Sequence, residues 1–278
     1  MRVFDHTEAS WSERRKDKMN GAYTYSKEII TYQLPLWEPF LPEDAVISTA
    51  PLLPDVEEMP RHAPVYIQYL HHPYLDLRKL RVLANIYHPT IFVTAYRWLD
   101  TNLHLAGLRS LYLPMTIDTS NLPKGGYSSS PGRIVYFGNL TAGKRAEYRE
   151  LQKVARYLGW RIDTISKGRV GKRRATQEEI WYEIVANYSY GIGVGRCALE
   201  LLGMGIKTII SGRQFGGILL NKGDFSTQLQ TNLNGMYTTG VMTIEEAFKS
   251  LPQSLLMTNS IQSELPFIKD RIRNLKWP

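Results

Sequence analysis

The chain has 278 residues, 43% of them hydrophobic and 22% charged, which suits a soluble globular protein of one large domain or two compact ones. No run approaches the ~18 apolar residues of a bilayer span, and a single cysteine, Cys197, excludes an internal disulfide framework. The polar, charged start at residues 1–18 does not read as a secretory leader, so a cytoplasmic protein is expected, and a net charge of +8 favours nucleic acid, anionic membrane or phosphate-bearing partners.

In chain order, Arg2-Val3-Phe4 reads as a first strand, followed by a turn at Asn20-Gly21-Ala22 and a helix over 26–32. Asn20 and Gly21 are candidates for a loop that lets an acceptor or phosphate approach; an ordinary turn before the helix explains them equally. Residues 45–49, 65–70, 91–95 and 111–114 are apolar or β-branched runs of strand length, and 75–84 and 96–106 are helical. His71 and His72 follow the strand at 65–70, where a cleft histidine would sit; a loop histidine before Pro73 is the alternative.

Residues 118–132 carry Pro123, Gly125, Gly126, Ser128 to Ser130, Pro131 and Gly132, the composition of a linker. Beyond it, strands are expected at 133–137, 160–165, 188–194 and 207–211, alternating with helices at 143–158, 176–186 and 197–204. Thr176 and Glu179 form a capping box, Gly159 suits the left-handed residue after its helix, and Gly205 stops the helix before it. Lys167, Arg169, Lys172, Arg173 and Arg174 form a basic loop, candidate contacts for nucleic acid. Strand–helix alternation implies parallel sheets with helices on both faces.

The most informative segment is Gly193-Val194-Gly195-Arg196-Cys197-Ala198-Leu199-Glu200, closed by Gly205. Small residues between a strand and a helix let a ligand approach helix N–H groups that favour phosphate. Tight helix–sheet packing is the plainer reading of the glycines alone. Arg196 offers a cationic fork, Glu200 an acceptor for ribose hydroxyls, and Cys197 a small packed residue.

This Gly-x-Gly-Arg-x-Ala-Leu-Glu run, with Gly212, Gly216-Gly217 and Asn232-Leu233-Asn234-Gly235 beyond it, resembles the donor site of bacterial GT-B glycosyltransferases of the GT4-like group. Tyr136-Phe137-Gly138-Asn139 followed by Lys144 is similar to that family's strand–Gly–turn with a phosphate-contacting lysine. Leu113-Pro114-x-x-Ile117-Asp118 resembles the end of its first domain. The resemblance covers roughly residues 65–240 and implies a GT-B fold: two Rossmann-like domains with parallel sheets facing a cleft. The expected division is an acceptor-side domain at 1–122, a linker at 123–132 and a donor-binding domain at 133–278, its last helix free to pack back on the first.

The resemblance further implies a nucleotide-sugar co-substrate, UDP-linked by preference, no obligatory cofactor or metal, and transfer with retention. It assigns Gly138, Asn139, Lys144, Arg145, Gly195, Arg196, Cys197 and Glu200 to the donor, and His71 or His72 to catalysis. Two departures stand out. Ile192 occupies the place of the first of the family's paired glutamates, and Asn139 stands where arginine is frequent, leaving Lys144 or Arg145 to carry phosphate charge.

The acceptor stays open between hydroxymethylated pyrimidines in DNA, as in phage DNA-modifying enzymes, and cell-envelope lipid or polysaccharide at an anionic membrane. A non-catalytic nucleic-acid-binding protein on the same scaffold is the reading of another class. Oligomeric state is not legible. No zinc spacing, phosphate-binding P-loop or nucleophile elbow is present.

Overall fold

Apolar runs such as Ile91-Phe92-Val93-Thr94, buried at every position, are what a parallel strand covered on both faces requires. The computed structural model describes residues 3–6, 31–33, 45–48, 65–70, 76–87, 89–114, 117, 119, 121–125, 132–140, 144–166, 168–170, 173–211, 217–218, 222–233 and 243–253. These fall into two units, one within Met1–Pro114 and the other within Met115–Asp270.

The first unit holds β1 (Val3–His6), β2 (Thr31–Gln33), β3 (Ala45–Ser48), β4 (Val65–Leu70), α1 (Leu77–Tyr87), β5 (Ile91–Thr94), α2 (Arg97–Leu105) and β6 (Ser110–Tyr112). All six strands are parallel in the order β2-β1-β3-β4-β5-β6. Thr31 and Tyr32 are strand, not the end of a helix over 26–32. Their β-branched and aromatic side chains favour extended backbone, and the ladder to Val3 and Phe4 supplies the hydrogen bonds. Leu70, Leu80, Phe92, Leu99 and Leu103 form the described core. Buried Asp100 accepts from Ser110 Oγ at 2.7 Å, fastening α2 to the start of β6.

The second unit runs β7 (Arg133–Phe137), α3 (Arg145–Tyr157), β8 (Arg161–Ile165), β9 (Arg169–Val170), β10 (Arg173–Arg174), α4 (Gln177–Asn187), β11 (Tyr190–Gly193), α5 (Arg196–Gly203), β12 (Lys207–Ile210), β13 (Gly217–Ile218), α6 (Lys222–Leu229) and α7 (Ile244–Ser250). Its sheet has the order β13-β12-β11-β7-β8, parallel except for the edge strand β13. Strand alternation sorts the two faces. Val135 and Phe137 pack with Ile180, Ile184, Leu199, Leu202 and Phe225 from α4, α5 and α6. Ile134 and Tyr136 pack on the opposite face with Leu151, Ala155 and Phe248 from α3 and α7. Among the described residues this is an α/β/α layering.

The capping box at Thr176 and Glu179 is formed, and Thr243 with Glu246 makes a second one opening α7. Gly159 and Gly205 follow their helices at φ +76° and +83°. The described part of the linker-like stretch is a packed strap. Leu122 joins the core, as does Ile117 just before the stretch, while Lys124 Nζ and the Gly125 N–H donate to the Gly203 and Met204 carbonyls at 2.9 and 3.0 Å, capping the end of α5. Gly203 makes room for it: a Cβ there would lie 2.6 Å from Leu122 Cδ1.

Candidate functional site

In the second sheet, β7 connects through α3 to β8 on one side, and β11 connects through α5 to β12 on the other. The loops leaving the carboxyl ends of β7 and β11 therefore part in opposite directions, and such a switch point is where open α/β sheets leave a crevice for ligands. Gly138 leaves β7 and Gly195 leaves the β11 segment, so the two glycines singled out from sequence stand at this point.

Their backbones explain the residue type. Gly138 has φ +147° and Gly195 has φ +56° with ψ −128°, conformations that L side chains rarely adopt. The two loops meet: a Cβ on Gly138 would lie 3.8 Å from Cys197 Sγ in the first turn of α5. Within β11, Gly191 and Gly193 face α5, and a Cβ on Gly193 would come within 2.9 Å of the Ala198 nitrogen. Those two glycines let the helix press on the sheet, so the packing explanation holds for them while Gly195 belongs to the turn.

Arg196 and Glu200 sit one turn apart on α5 and form an ion pair, Arg196 Nε to Glu200 Oε1 at 2.7 Å. The Glu200 side chain is 1% exposed and that of Arg196 24%. Glu200 Oε2 accepts from Gln177 Nε2 at 2.9 Å and from Trp181 Nε1 at 3.1 Å. Both oxygens are thus engaged by protein donors, where the motif predicts ribose hydroxyls. Neither Gln177 nor Trp181 belongs to the motif that marks this site in the sequence. The capping box does place both on one face of α4, four residues apart, which is the signal the sequence carries for them.

Asn232 and Leu233, named in the sequence as part of the donor-site resemblance, hold this turn in place. The Leu233 N–H reaches the Gln228 carbonyl at 2.8 Å and the Asn232 N–H the Leu229 carbonyl at 3.0 Å, a Schellman pattern with Asn232 as the left-handed residue at φ +57°. Leu233, at φ +50°, then offers its carbonyl to the Gly195 N–H at 2.9 Å. Asn232 is 7% exposed, and its buried Oδ1 has no hydrogen-bond partner among the described residues.

On the other face of the same edge, Glu147 Oε1 accepts from Ser211 Oγ at 2.7 Å, and Tyr148 OH and Thr164 Oγ1 lie 2.7 Å apart. Burial, with Glu147, Cys197 and Tyr148 nearby, pushes the Tyr136 phenol up to about 12, so it is a neutral donor at physiological pH. Lys144 is the N-cap of α3 and Arg145 its first residue, two cations at the positive end of a helix dipole. Asn139 is exposed next to Gly138.

Ile192 is fully buried in the α3/α7-side core, so the spacing-based place of the missing glutamate points into apolar packing. Arg169, Arg173 and Arg174 belong to an antiparallel hairpin, not to the irregular loop expected from their charge; ladder pairing and the packing of Val170 against the core order the segment. His71, His72, Asn20, Gly21, Lys167 and Lys172 lie outside the described residues. Among the described residues there is no cluster of three or more His, Cys, Asp or Glu suited to a metal, and no helix long and apolar enough to cross a membrane.

No family model matches the sequence, and no curated protein does. Among solved structures, the chain is similar to the Glycosylation Associate Protein (Gap123) complex from Streptococcus agalactiae, with 9% identity and a TM-score of 0.42 over 84% of this chain and 52% of that one. It is also similar to the GtfA/B complex bound to UDP and GlcNAc, with 10% identity and a TM-score of 0.35 over 84% of this chain and 57% of that one. The chain spans a little over half the length of each.

Proposed function

We propose that the chain is a glycosyltransferase whose second unit holds a nucleotide-sugar, a UDP-sugar by preference, at the carboxyl edge between β7 and β11. The observation that carries this reading is the meeting of the Gly138 turn with the Gly195–Cys197 turn at a topological switch point. It gives the Gly-x-Gly-Arg-x-Ala-Leu-Glu resemblance a place where backbone can approach a diphosphate.

In this reading Arg196, Lys144 and Arg145 oppose the charge that builds on the leaving phosphate. Glu200 fixes the Arg196 guanidinium, and it reaches a ribose only when Gln177 or Trp181 releases Oε2. The bond from the sugar anomeric carbon to the diphosphate oxygen breaks and one to an acceptor hydroxyl forms, that hydroxyl's proton passing to the departing phosphate. Retention and the histidine pair His71/His72 are taken from the family resemblance. The favoured acceptor is a hydroxymethylated pyrimidine in DNA, supported by the +8 charge and the arginine-bearing hairpin.

A transfer assay on hydroxymethylpyrimidine DNA with UDP-, GDP- and ADP-sugars, read by nucleoside mass spectrometry, tests the whole reading. A hexose- or pentose-sized mass gain is expected. Donor binding without a gain removes the DNA acceptor in favour of an envelope one, and neither binding nor gain removes the enzyme.

A further inference from the structure

Strands β9 and β10 pair in antiparallel register, with Arg173 opposite Val170 and Arg174 opposite Arg169. Residues directly opposite one another share a face, and neighbours along a strand alternate. The inner face of this ribbon is accounted for: Val170 and Ala175 pack against the core, and Arg173 Nη1 donates to Glu179 Oε1 on α4 at 3.0 Å. The outer face presents Arg169 and Arg174 side by side, both exposed, and neither forms an ion pair among the described residues.

Like charges directly opposite across a ladder destabilise it, and among the described residues this ladder pairs two positions. Such an arrangement is favourable where an array of anions meets it. We propose that the Arg169/Arg174 face of the hairpin is a docking surface for the phosphate backbone of duplex DNA. A two-stranded ribbon fits the major groove of B-form DNA, whereas the A-form RNA groove is too deep and narrow for it. Among the described residues the outer face carries no aromatic or aliphatic side chain to insert into lipid, as a membrane-bound ribbon needs. The inference deepens the acceptor half of the proposed function and rests on that reading for its role, while the binding itself stands on the hairpin alone.

The test is fluorescence anisotropy of a short labelled DNA duplex with the full chain, without any nucleotide-sugar, across a salt series. Two phosphate contacts carry a salt slope of about 2, so the R169A/R174A double variant is expected to lose that slope and to bind about 60-fold more weakly at roughly 0.1 M salt. Arg173→Ala removes a charge from the same hairpin but from its inner face, and it is expected to leave the slope nearly unchanged. Equal losses in all these variants would mean diffuse charge and overturn the assignment. Unchanged duplex binding in a folded double variant would also overturn it, as would hairpin-dependent binding to phosphatidylglycerol vesicles with none to DNA. Nucleotide binding, measured separately by calorimetry, reports on the donor site whatever the hairpin does.

Discussion

The Gly195 N–H and the Leu233 carbonyl are joined at 2.9 Å, and both residues hold positive φ, +56° and +50°. A buried leucine in the left-handed region is uncommon and is retained where its surroundings over-determine it. Here its carbonyl fixes the N-cap of α5, so the end of α6 and the start of α5 act as one clamp around the proposed donor turn.

Gly195→Ala should therefore be costly although there is room for a methyl group, whose nearest neighbour would be the Asn232 carbonyl oxygen at 3.6 Å. The expected loss is about 1–3 kcal/mol of backbone strain, read as a lowered urea midpoint. Gly193→Ala should cost about as much for another reason, steric conflict with the Ala198 backbone, and should shift α5 from the sheet.

Replacing Glu200 by Ala leaves Arg196, Gln177 and Trp181 without their shared acceptor. We expect nucleotide affinity to fall by about 1–3 kcal/mol, with a change in Trp181 emission that reports loss of the indole hydrogen bond. Unchanged nucleotide affinity in a folded variant would remove Glu200 from the site.

The amino end of the sheet has its own polar cluster, and it gives a pH signature. Partial burial pushes the Asp163 carboxyl up, but hydrogen bonds from Arg133, Tyr188 and Arg161 outweigh it and hold the group below its ordinary 3.8. Its stabilisation is present above 3.8, fades as pH falls further, and is gone below the depressed value. Asp163→Asn should thus be less stable than the parent near neutrality, with the gap closing in acid; a gap constant with pH would contradict this. Burial pushes Tyr136 and Tyr188 up to about 12, so both favour the fold below the ordinary 10.0 and that contribution is lost as pH rises toward 12.

Thr243→Ala should cost about 1 kcal/mol by opening the capping box of α7, which carries Phe248 into the core. Phe248→Ala itself should cost about 3–5 kcal/mol. Both are checked by urea unfolding followed by far-UV circular dichroism.

Local chemistry made much of this legible. Thr176 with Glu179, Gly159 as a left-handed residue and Gly205 as a helix stop act within a few residues, so spacing alone reveals them. Strands β7 and β12 announce themselves by the β-branched runs Ile134-Val135 and Thr208-Ile209-Ile210, and the Gly195-Arg196 turn by composition. What escaped depends on distant partners. Thr31–Gln33 becomes a strand because β1 offers it a ladder, and the hairpin's order comes from Val170, hidden in a run of charge. Leu122 is masked by the Pro, Gly and Ser around it, although Gly203 leaves space for it. The engagement of Glu200 by Gln177 and Trp181 crosses 23 and 19 residues, beyond what spacing on one helix reveals.

The most direct measurement is calorimetric titration of the full chain with UDP, GDP and ADP, repeated on Arg196→Ala. Saturable binding of one nucleotide, weakened about tenfold or more in the variant, is the expected result. Absence of binding to all three, or equal binding by parent and variant, would contradict a donor site at the Gly138–Gly195 edge.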